Sequence, residues 1–303
     1  MTIDASNTTR DDVLSYLRDR RNWGRWGDDD QRGAINLITP EKRVRAAQLV
    51  RSGRSVSISR DLPKRPGRHN PWPAQHFLQV HENAVTDFYG INYHGHVTTH
   101  VDALCHVWDS DGMWGGRKPA ESFDTFLGGA LWGGIEHWRD GITTRGVLLD
   151  VPTFRGTPYV TVEEPVHGAE LEAIARAQGV ALEPGDALVV YGGREAYQAD
   201  HRDWSGYRGP NPGLHASCLP FLRDHDVAVL AWDLMDATPN DYRVPWTIHG
   251  AIFSYGIALV DNSVLQPLAE ACADEGRYEF MLTFAPIPVV GGTGSPVNPI
   301  ALF

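Results

Sequence analysis

The most constraining feature of this 303-residue chain is a cluster of histidines between residues 94 and 106. The segment reads HGHVTTHVDALCH and contains His94, His96, His100, His106 and the carboxylate of Asp102. An even spread of the chain's 13 histidines would place only about half of one in so short a window. Random placement is a poor account of this density, and the cluster predicts a metal site.

Imidazole nitrogen and carboxylate oxygen suit Zn²⁺ and neighbouring first-row ions, and an ion with an open position can turn bound water into hydroxide near neutral pH. In a regular strand, the Cα atoms of His96 and His100 would lie roughly 13 Å apart, about the limit for two imidazoles on one ion. In a regular helix the two would be neighbours, but Asp102 would point elsewhere. We therefore expect the chain to enter as a strand and to bend near Thr98 and Thr99.

The pattern His96-x-x-Thr99-His100-x-Asp102-x-x-x-His106 resembles the signature of the metal-dependent cyclase family. That family includes bacterial kynurenine formamidase, isatin hydrolase and a trans-dienelactone hydrolase. The resemblance implies that His96, His100 and Asp102 bind a metal ion. It also implies that His106 transfers protons.

The same resemblance implies a second ion, held in part by His249 and by Asp261, twelve residues further on. Weaker matches to the family are Arg145–Asp150, Pro184–Asp186 and Asp233–Asp236. The likeness extends over residues 25 to 303, and the histidine motif is its most specific part.

Composition excludes several classes of function. The chain has 38 acidic residues against 27 Lys and Arg, and its net charge of −11 disfavours nucleic acid as a partner. Its apolar runs fall short of the roughly 20 residues that cross a bilayer, and the first 25 residues lack a signal-peptide core. We therefore expect a cytoplasmic protein. Cys105, Cys218 and Cys272 are odd in number and scattered, so we expect reduced thiols.

The spacing of hydrophobic residues, together with Gly and Pro where helices and strands are expected to end, predicts a mixed α/β protein. We expect one catalytic domain over residues 54–303, with residues 1–53 forming an N-terminal extension and a helix that packs on it. The resemblance implies a swivelling β/β/α fold with a barrel-like sheet core. Helices are predicted at 40–52, 168–178, 215–224 and 263–274, and strands at 56–59, 77–80, the approach to His94, 146–151, 187–192, 227–233 and 280–289.

Several residues allow a structural as well as a functional interpretation. His94 is not required by the family motif, so we expect it to contact a metal-binding residue or to lie at the surface, rather than to bind the metal itself. Cys105 is expected to be a small buried thiol rather than a nucleophile. Asp233 and Asp236 follow an apolar strand and are expected to orient loops, with a pair of catalytic acids as the alternative. Five tryptophans are expected mainly to pack in the core, with pocket lining as the alternative: Trp23, Trp26, Trp114, Trp132 and Trp138.

The leading hypothesis is a hydrolase that uses Zn²⁺ or Mn²⁺, as one or two ions, to open an amide C–N bond or a lactone in a small ring-containing molecule. A cyclase or lyase of natural-product biosynthesis is the second hypothesis. A third is an inert small-molecule-binding protein, because Thr98 and Asp261 stand where the family usually has Gly and Glu. The resemblance also suggests a homodimer or homotetramer.

Overall fold

The framework of the protein is a strongly curled sheet of nine strands. The computed structural model describes residues 8–126 and 128–303. The strands, in chain order, are β1 (Ser55–Ser57), β2 (Gln75–Val80), β3 (Val85–Gly90), β4 (His100–Asp102), β5 (Phe123–Asp124), β6 (Gly129–Ala130), β7 (Ile142–Asp150), β8 (Ala187–Tyr191), β9 (Val229–Trp232), β10 (Ala258–Asp261), β11 (Glu279–Phe284), β12 (Gly294–Pro296) and β13 (Ile300–Leu302). Nine of them join in the order β1-β13-β11-β7-β8-β9-β10-β4-β12, with β7 to β10 parallel and the other neighbours antiparallel.

Helices alternate with the parallel strands and also precede the sheet. They are α1 (Arg10–Arg18), α2 (Pro40–Ala47), α3 (Pro119–Ser122), α4 (Val151–Arg155), α5 (Gly168–Gln178), α6 (Arg194–Asp200), α7 (Cys218–Asp224), α8 (Ala251–Tyr255) and α9 (Gln266–Glu275). The hydroxyls of Thr9 and Thr39 cap α1 and α2. Within the two described ranges, no helix is both long enough and apolar enough to cross a membrane.

The parallel strands at the centre of the sheet lie deepest in the protein. Every residue of β9 and β10 is buried, and so is every residue of β8 except Tyr191. Strands covered on both faces need apolar side chains on both faces, which explains their continuous apolar runs. Helices α1 and α2 also pack on this core, through Val13, Leu17 and Ala46.

The structure confirms most of the predicted elements. Helix α5 spans residues 168–178 as predicted and ends at Gly179, which adopts the left-handed conformation. Strands β8 and β9 lie within the predicted segments 187–192 and 227–233, whereas β7 begins at Ile142, four residues before the predicted segment 146–151, and ends at Asp150. The predicted helix at 40–52 begins correctly at Pro40 but ends at Ala47. The other two helices begin three residues later than predicted, at Cys218 and Gln266.

Two strand predictions are wrong in detail. The chain does not enter the histidine cluster as a strand, because β3 ends at Gly90 and a loop precedes β4, which begins at His100. The predicted strand 280–289 ends at Phe284, because Pro286 and Pro288 cannot donate the backbone hydrogen bonds that a ladder requires.

A buried ion-pair network anchors α2 to the sheet. The carboxylate of Asp186 is inaccessible to solvent and lies 2.5 Å from Nζ of Lys42 and 2.6 Å from a guanidinium nitrogen of Arg145. Asp186 lies in one of the segments that resemble the cyclase family. These contacts indicate that Asp186 has a structural role in that segment.

We predict that Asp186→Ala lowers the free energy of unfolding by about 3 kcal/mol, because Lys42 and Arg145 lose their fully buried partner and keep only the more exposed Glu183 and Glu279. Urea denaturation followed by circular dichroism measures this loss. The control is Asp274→Ala, which removes an exposed pair with Arg54 and is expected to cost less than about 1 kcal/mol. Equal effects of the two substitutions would contradict the prediction.

Candidate metal centre

Strand β4 carries two of the predicted ligands, and its place in the sheet fixes where they point. It lies between β10 and β12, and its register sets His100 directly opposite Asp261. Asp102 follows two residues after His100, so its side chain lies on the same face of the sheet. All three side chains are buried. Antiparallel pairing thus assembles a site from residues far apart in the sequence.

The carboxylate of Asp102 is fully buried among imidazole nitrogens. Its Oδ1 lies 2.9 Å from Nδ1 of His94 and 3.3 Å from Nε2 of His100, and its Oδ2 lies 3.7 Å from Nε2 of His106. Among the described residues, neither oxygen receives a hydrogen bond of regular geometry from these imidazoles or from any other donor. An ionised carboxylate that loses its hydration without gaining hydrogen bonds is costly. A divalent cation supplies the missing partner, so this donor set fits a metal ion.

Asp261 is the second buried carboxylate of the site. Its Oδ2 lies 3.2 Å from Nε2 of His249 and 3.9 Å from Nε2 of His100. Its Oδ1 accepts a hydrogen bond of 2.5 Å from the indole nitrogen of Trp232. His100 therefore stands between the two carboxylates, and Asp261 keeps one oxygen facing the histidines.

Two overlapping groups of side chains have the geometry of metal ligands. Within residues 8–126 and 128–303, each group has its ligand atoms within 4.8 Å of one another, and both groups contain Asp102. The groups are His94, Asp102 and His106, and His100, Asp102 and Asp261.

Hydrogen bonds on the far side of two imidazoles set their orientation. Nδ1 of His100 donates to the carbonyl oxygen of Thr98 at 2.8 Å, because a carbonyl can only accept. Nδ1 of His249 is hydrogen-bonded to the carboxylate of Asp236, which also accepts the backbone N–H of Ile248 at 2.7 Å. Such contacts direct the Nε2 atoms of both rings towards the carboxylates, as in metal-bound histidines.

The pKa values of the site follow from burial and from the charges around each group. Burial lowers the pKa of His106 to about 4, although Asp102 opposes it, so the ring is neutral at neutral pH. Burial raises the pKa of Asp102, but the attraction of His106 and His100 outweighs this effect and holds the pKa well below its usual range. Burial also opposes protonation of His249, yet Asp236 and Asp261 hold its pKa well above the usual value.

His96 reaches the site from the loop between β3 and β4. Its ring packs edge-on against Tyr207, whose hydroxyl accepts the backbone N–H of His96 at 3.1 Å. It lines the same cavity as His100 and Asp261 but belongs to neither ligand group. Burial and the nearby guanidinium of Arg194 lower its pKa to about 4, so the imidazole is neutral.

The structure therefore brings His100, Asp102, His106, His249 and Asp261 together and places His96 beside them. His94, which sequence reasoning kept outside the ligand set, stacks on His106 with ring centroids 3.9 Å apart. The sequence signal that could have included His94 in the site is the high density of histidines in residues 94–106.

Two further sequence predictions can be compared with the structure. Asp236 orients His249 through hydrogen bonds, as its place after an apolar strand suggested. Cys105 is buried, and burial raises the pKa of its thiol to about 12, which removes its reactivity as a nucleophile.

A cavity of about 300 Å³ opens onto these residues. Its aromatic walls are Trp204 and Trp246, and the ring of Trp246 lies 5.5 Å from that of His249. The five tryptophans considered from the sequence do not line it: Trp114 and Trp138 are buried in the core, and Trp23, Trp26 and Trp132 pack against it. Nothing in the local sequence distinguishes Trp204 and Trp246 from these.

The chain is similar to several known proteins. A family model described as "Putative cyclase" matches residues 40–238. The crystal structure of a novel cyclase is 30% identical, with a TM-score of 0.84, over 93% of this chain and 99% of that one. Isatin hydrolase A from Labrenzia aggregata, solved with benzyl benzoate, shares the fold at 16% identity, with a TM-score of 0.57 over 84% of this chain and 94% of that one.

A kynurenine formamidase from Bacillus cereus is 30% identical over 89 residues, which is 29% of this chain. The match spans 39% of the length of that relative.

We predict that His100→Ala abolishes stoichiometric binding of Zn²⁺, because this imidazole stands between both carboxylates. Elemental analysis of protein purified without chelators gives the number of ions per chain. The control is His225→Ala, whose ring instead bonds to the carbonyl oxygen of Phe221. Retention of all ions by His100→Ala would show that the site is assembled differently.

Proposed function

Because this chain belongs to the cyclase family, we propose that it is a metal-dependent hydrolase that opens an amide C–N bond or a lactone in a small, ring-containing molecule. The observation that carries the proposal is the buried carboxylate of Asp102, which has three imidazoles around it and receives no hydrogen bond of regular geometry from the residues that the structure describes. The kynurenine formamidase and isatin hydrolase among its relatives support the choice of bond.

In this proposal His96, His100 and Asp102 hold one ion, and His249 and Asp261 contribute to a second. Zn²⁺ is the preferred ion for these nitrogen and oxygen donors, with Mn²⁺ as the alternative. When bound, a divalent ion supplies Lewis acidity toward the scissile carbonyl and lowers the pKa of the attacking water.

His106 carries the proton transfer. Its ring lines the cavity, is neutral at neutral pH and has Nε2 directed towards Asp102. One nitrogen of the neutral ring carries no proton, so the ring can accept a proton from the attacking water and return it to the leaving nitrogen or oxygen. His94 stacks on this ring and bonds to the hydroxyl of Thr293, which holds His106 in one orientation.

The two departures from the family pattern are compatible with a working site. Among the described residues, three non-glycine residues have a positive φ, and Thr98 is not one of them. Its backbone conformation therefore does not require Gly. Asp261 is one methylene shorter than Glu, yet its carboxylate still lies 3.2 Å from Nε2 of His249. These observations favour an enzyme over an inert binding protein.

We also propose that the chain forms a homodimer through the hairpin of β2 and β3. Phe77 and Phe88 stack on one face of this hairpin, and Leu78 lies on the other; each side chain is more than half exposed. A two-stranded hairpin with uncovered apolar faces is marginal in water, and a second copy of the chain would cover them.

Two expectations from the sequence remain proposals. The first is the swivelling β/β/α fold. The second is the division of the chain into an N-terminal extension over residues 1–53 and a catalytic domain over residues 54–303.

Removal of the metal tests the proposed reaction. Dialysis against a chelator is expected to abolish turnover of N-formyl amides, cyclic imides, isatin-like lactams or lactones, and Zn²⁺ or Mn²⁺ is expected to restore it. In H₂¹⁸O, hydrolysis places the label in the product. Product without label would favour the cyclase or lyase alternative, and bound metal without turnover across this panel would favour the inert protein.

His106→Ala separates proton transfer from metal binding. We expect kcat to fall about 10²–10⁴-fold while the ion content stays unchanged, because the substitution removes the base but not the ligands. Steady-state kinetics and elemental analysis on the same preparation give both quantities. Loss of the ion together with activity would instead make His106 a ligand.

The hairpin surface is tested by Leu78→Lys combined with Phe77→Lys. The wild-type protein is expected to sediment at twice the mass of the 33.5 kDa chain, and the variant at the mass of one chain, because buried charge opposes association. Analytical ultracentrifugation measures both. The matched control is Val44→Lys, an exposed apolar residue on α2. A wild-type protein that sediments as a single chain would exclude the dimer.

A further inference from the structure

The proposed ligand His96 lacks the support that fixes the other ligands of the first ion. His100 and Asp102 belong to β4, which is hydrogen-bonded to a strand on each side. His96 lies in the loop between Gly90 and His100, where no strand pairing holds the backbone. The position of this ligand therefore depends on contacts from elsewhere in the fold.

The side chain of Arg194 makes one of these contacts. Its guanidinium donates to the carbonyl oxygen of His96, to Oδ1 of Asn262 at 2.6 Å and to the carbonyl oxygen of Asp233 at 3.2 Å. The planar guanidinium group thus ties three separate segments of the chain together. Each of the three acceptors is a neutral carbonyl or amide oxygen.

Asn262 holds the same loop from the other side. It directly follows Asp261, and its side-chain amide donates to the carbonyl oxygens of Gly95 at 2.6 Å and Thr98 at 3.0 Å. Its backbone adopts a φ of +58°, which few residues other than Gly and Asn tolerate. This conformation turns the side chain back onto the loop, so one residue restrains both sides of His96.

Arg194 is itself rigidly placed. It begins α6, and its backbone N–H, together with those of Gly192 and Gly193, donates to the buried carboxylate of Asp233. Only 2% of Arg194 is exposed. Within residues 8–126 and 128–303, its side chain makes no ion pair within 4.0 Å. A buried cation without an ion pair is costly, so its retention here calls for a specific role.

We propose that Arg194 and Asn262 are positioning residues that hold the His96 loop against the metal site and thereby complete the ligand set of the first ion. This inference rests on the proposed metal site but not on the proposed reaction.

Zinc affinity of the metal-free protein tests this role without any substrate. Competition with a chromophoric chelator is expected to show a 10- to 100-fold weaker Kd for Zn²⁺ in Arg194→Met, the usual cost of losing a residue that orients a metal ligand. Arg194→Lys, which keeps the charge and one donor, is expected to recover part of the affinity. Asn262→Asp keeps the acceptor for Arg194 but loses both donations to the loop, so it is expected to weaken Zn²⁺ binding as well.

A matched control and a double-substitution cycle give the test its specificity. Arg155→Met removes a partly buried arginine, which pairs with Glu170 away from the site, and is expected to leave zinc affinity unchanged. In a His96→Ala background, Arg194→Met is expected to have no further effect, because Arg194 acts through His96. Thermal unfolding of each metal-free variant reports whether the fold is intact.

Three results would overturn this inference. The first is wild-type zinc affinity in Arg194→Met together with a raised KM, which would make Arg194 a substrate-binding residue. The second is an equal loss of affinity with and without His96, which would indicate general destabilisation. The third is unchanged affinity in both Arg194→Lys and Asn262→Asp. If the wild-type protein binds no zinc, the proposed function fails; if it binds zinc but hydrolyses nothing, only the proposed reaction fails.

Discussion

The buried carboxylate of Asp102 is the interaction on which the rest of this structure depends. Other acids are satisfied by the protein itself: the buried Asp233 accepts four backbone N–H groups, the partly buried Asp236 accepts donors from the segment that carries His249, and the buried Asp186 has two cations. Asp102 has imidazole nitrogens nearby but no hydrogen bond of regular geometry within the described part of the chain. A fold that encloses such a group gains stability when a cation binds, which couples folding to metal binding.

Some residues of this site lie on paired strands, and others lie in segments without strand pairing. The pairing of β4 with β10 fixes His100 against Asp261, and neither can shift without breaking the ladder. His249 comes from a short 3₁₀ helix (Ile248–Gly250) and His96 from a loop, and in both cases a polar side chain makes the attachment, Asp236 for His249 and Arg194 for His96. Side-chain hydrogen bonds of this kind replace the restraint that a strand obtains from its neighbours.

The hydrophobic pattern of the sequence predicted those helices and strands that keep one pattern of burial along their whole length. Helix α5 has a clear amphipathic repeat with a terminal glycine, and β9 is a short apolar run buried on both faces, so both could be located from the sequence. Strand β4 could not, because its three residues include two polar ones, which resemble a loop. Its strand conformation exists only because β10 and β12 offer hydrogen-bonding partners on either side.

The sequence by itself determined which residue types the site contains: the density of histidines around Asp102 predicts a metal site, and the family resemblance adds His249 and Asp261 to it. Only the tertiary structure decided the partners, namely that His94 joins Asp102, that Asp261 faces His100, and that Trp204 and Trp246 form the cavity wall. The physical reason is that periodicity records whether a position is buried, whereas the order of strands and the path of loops decide which buried positions meet.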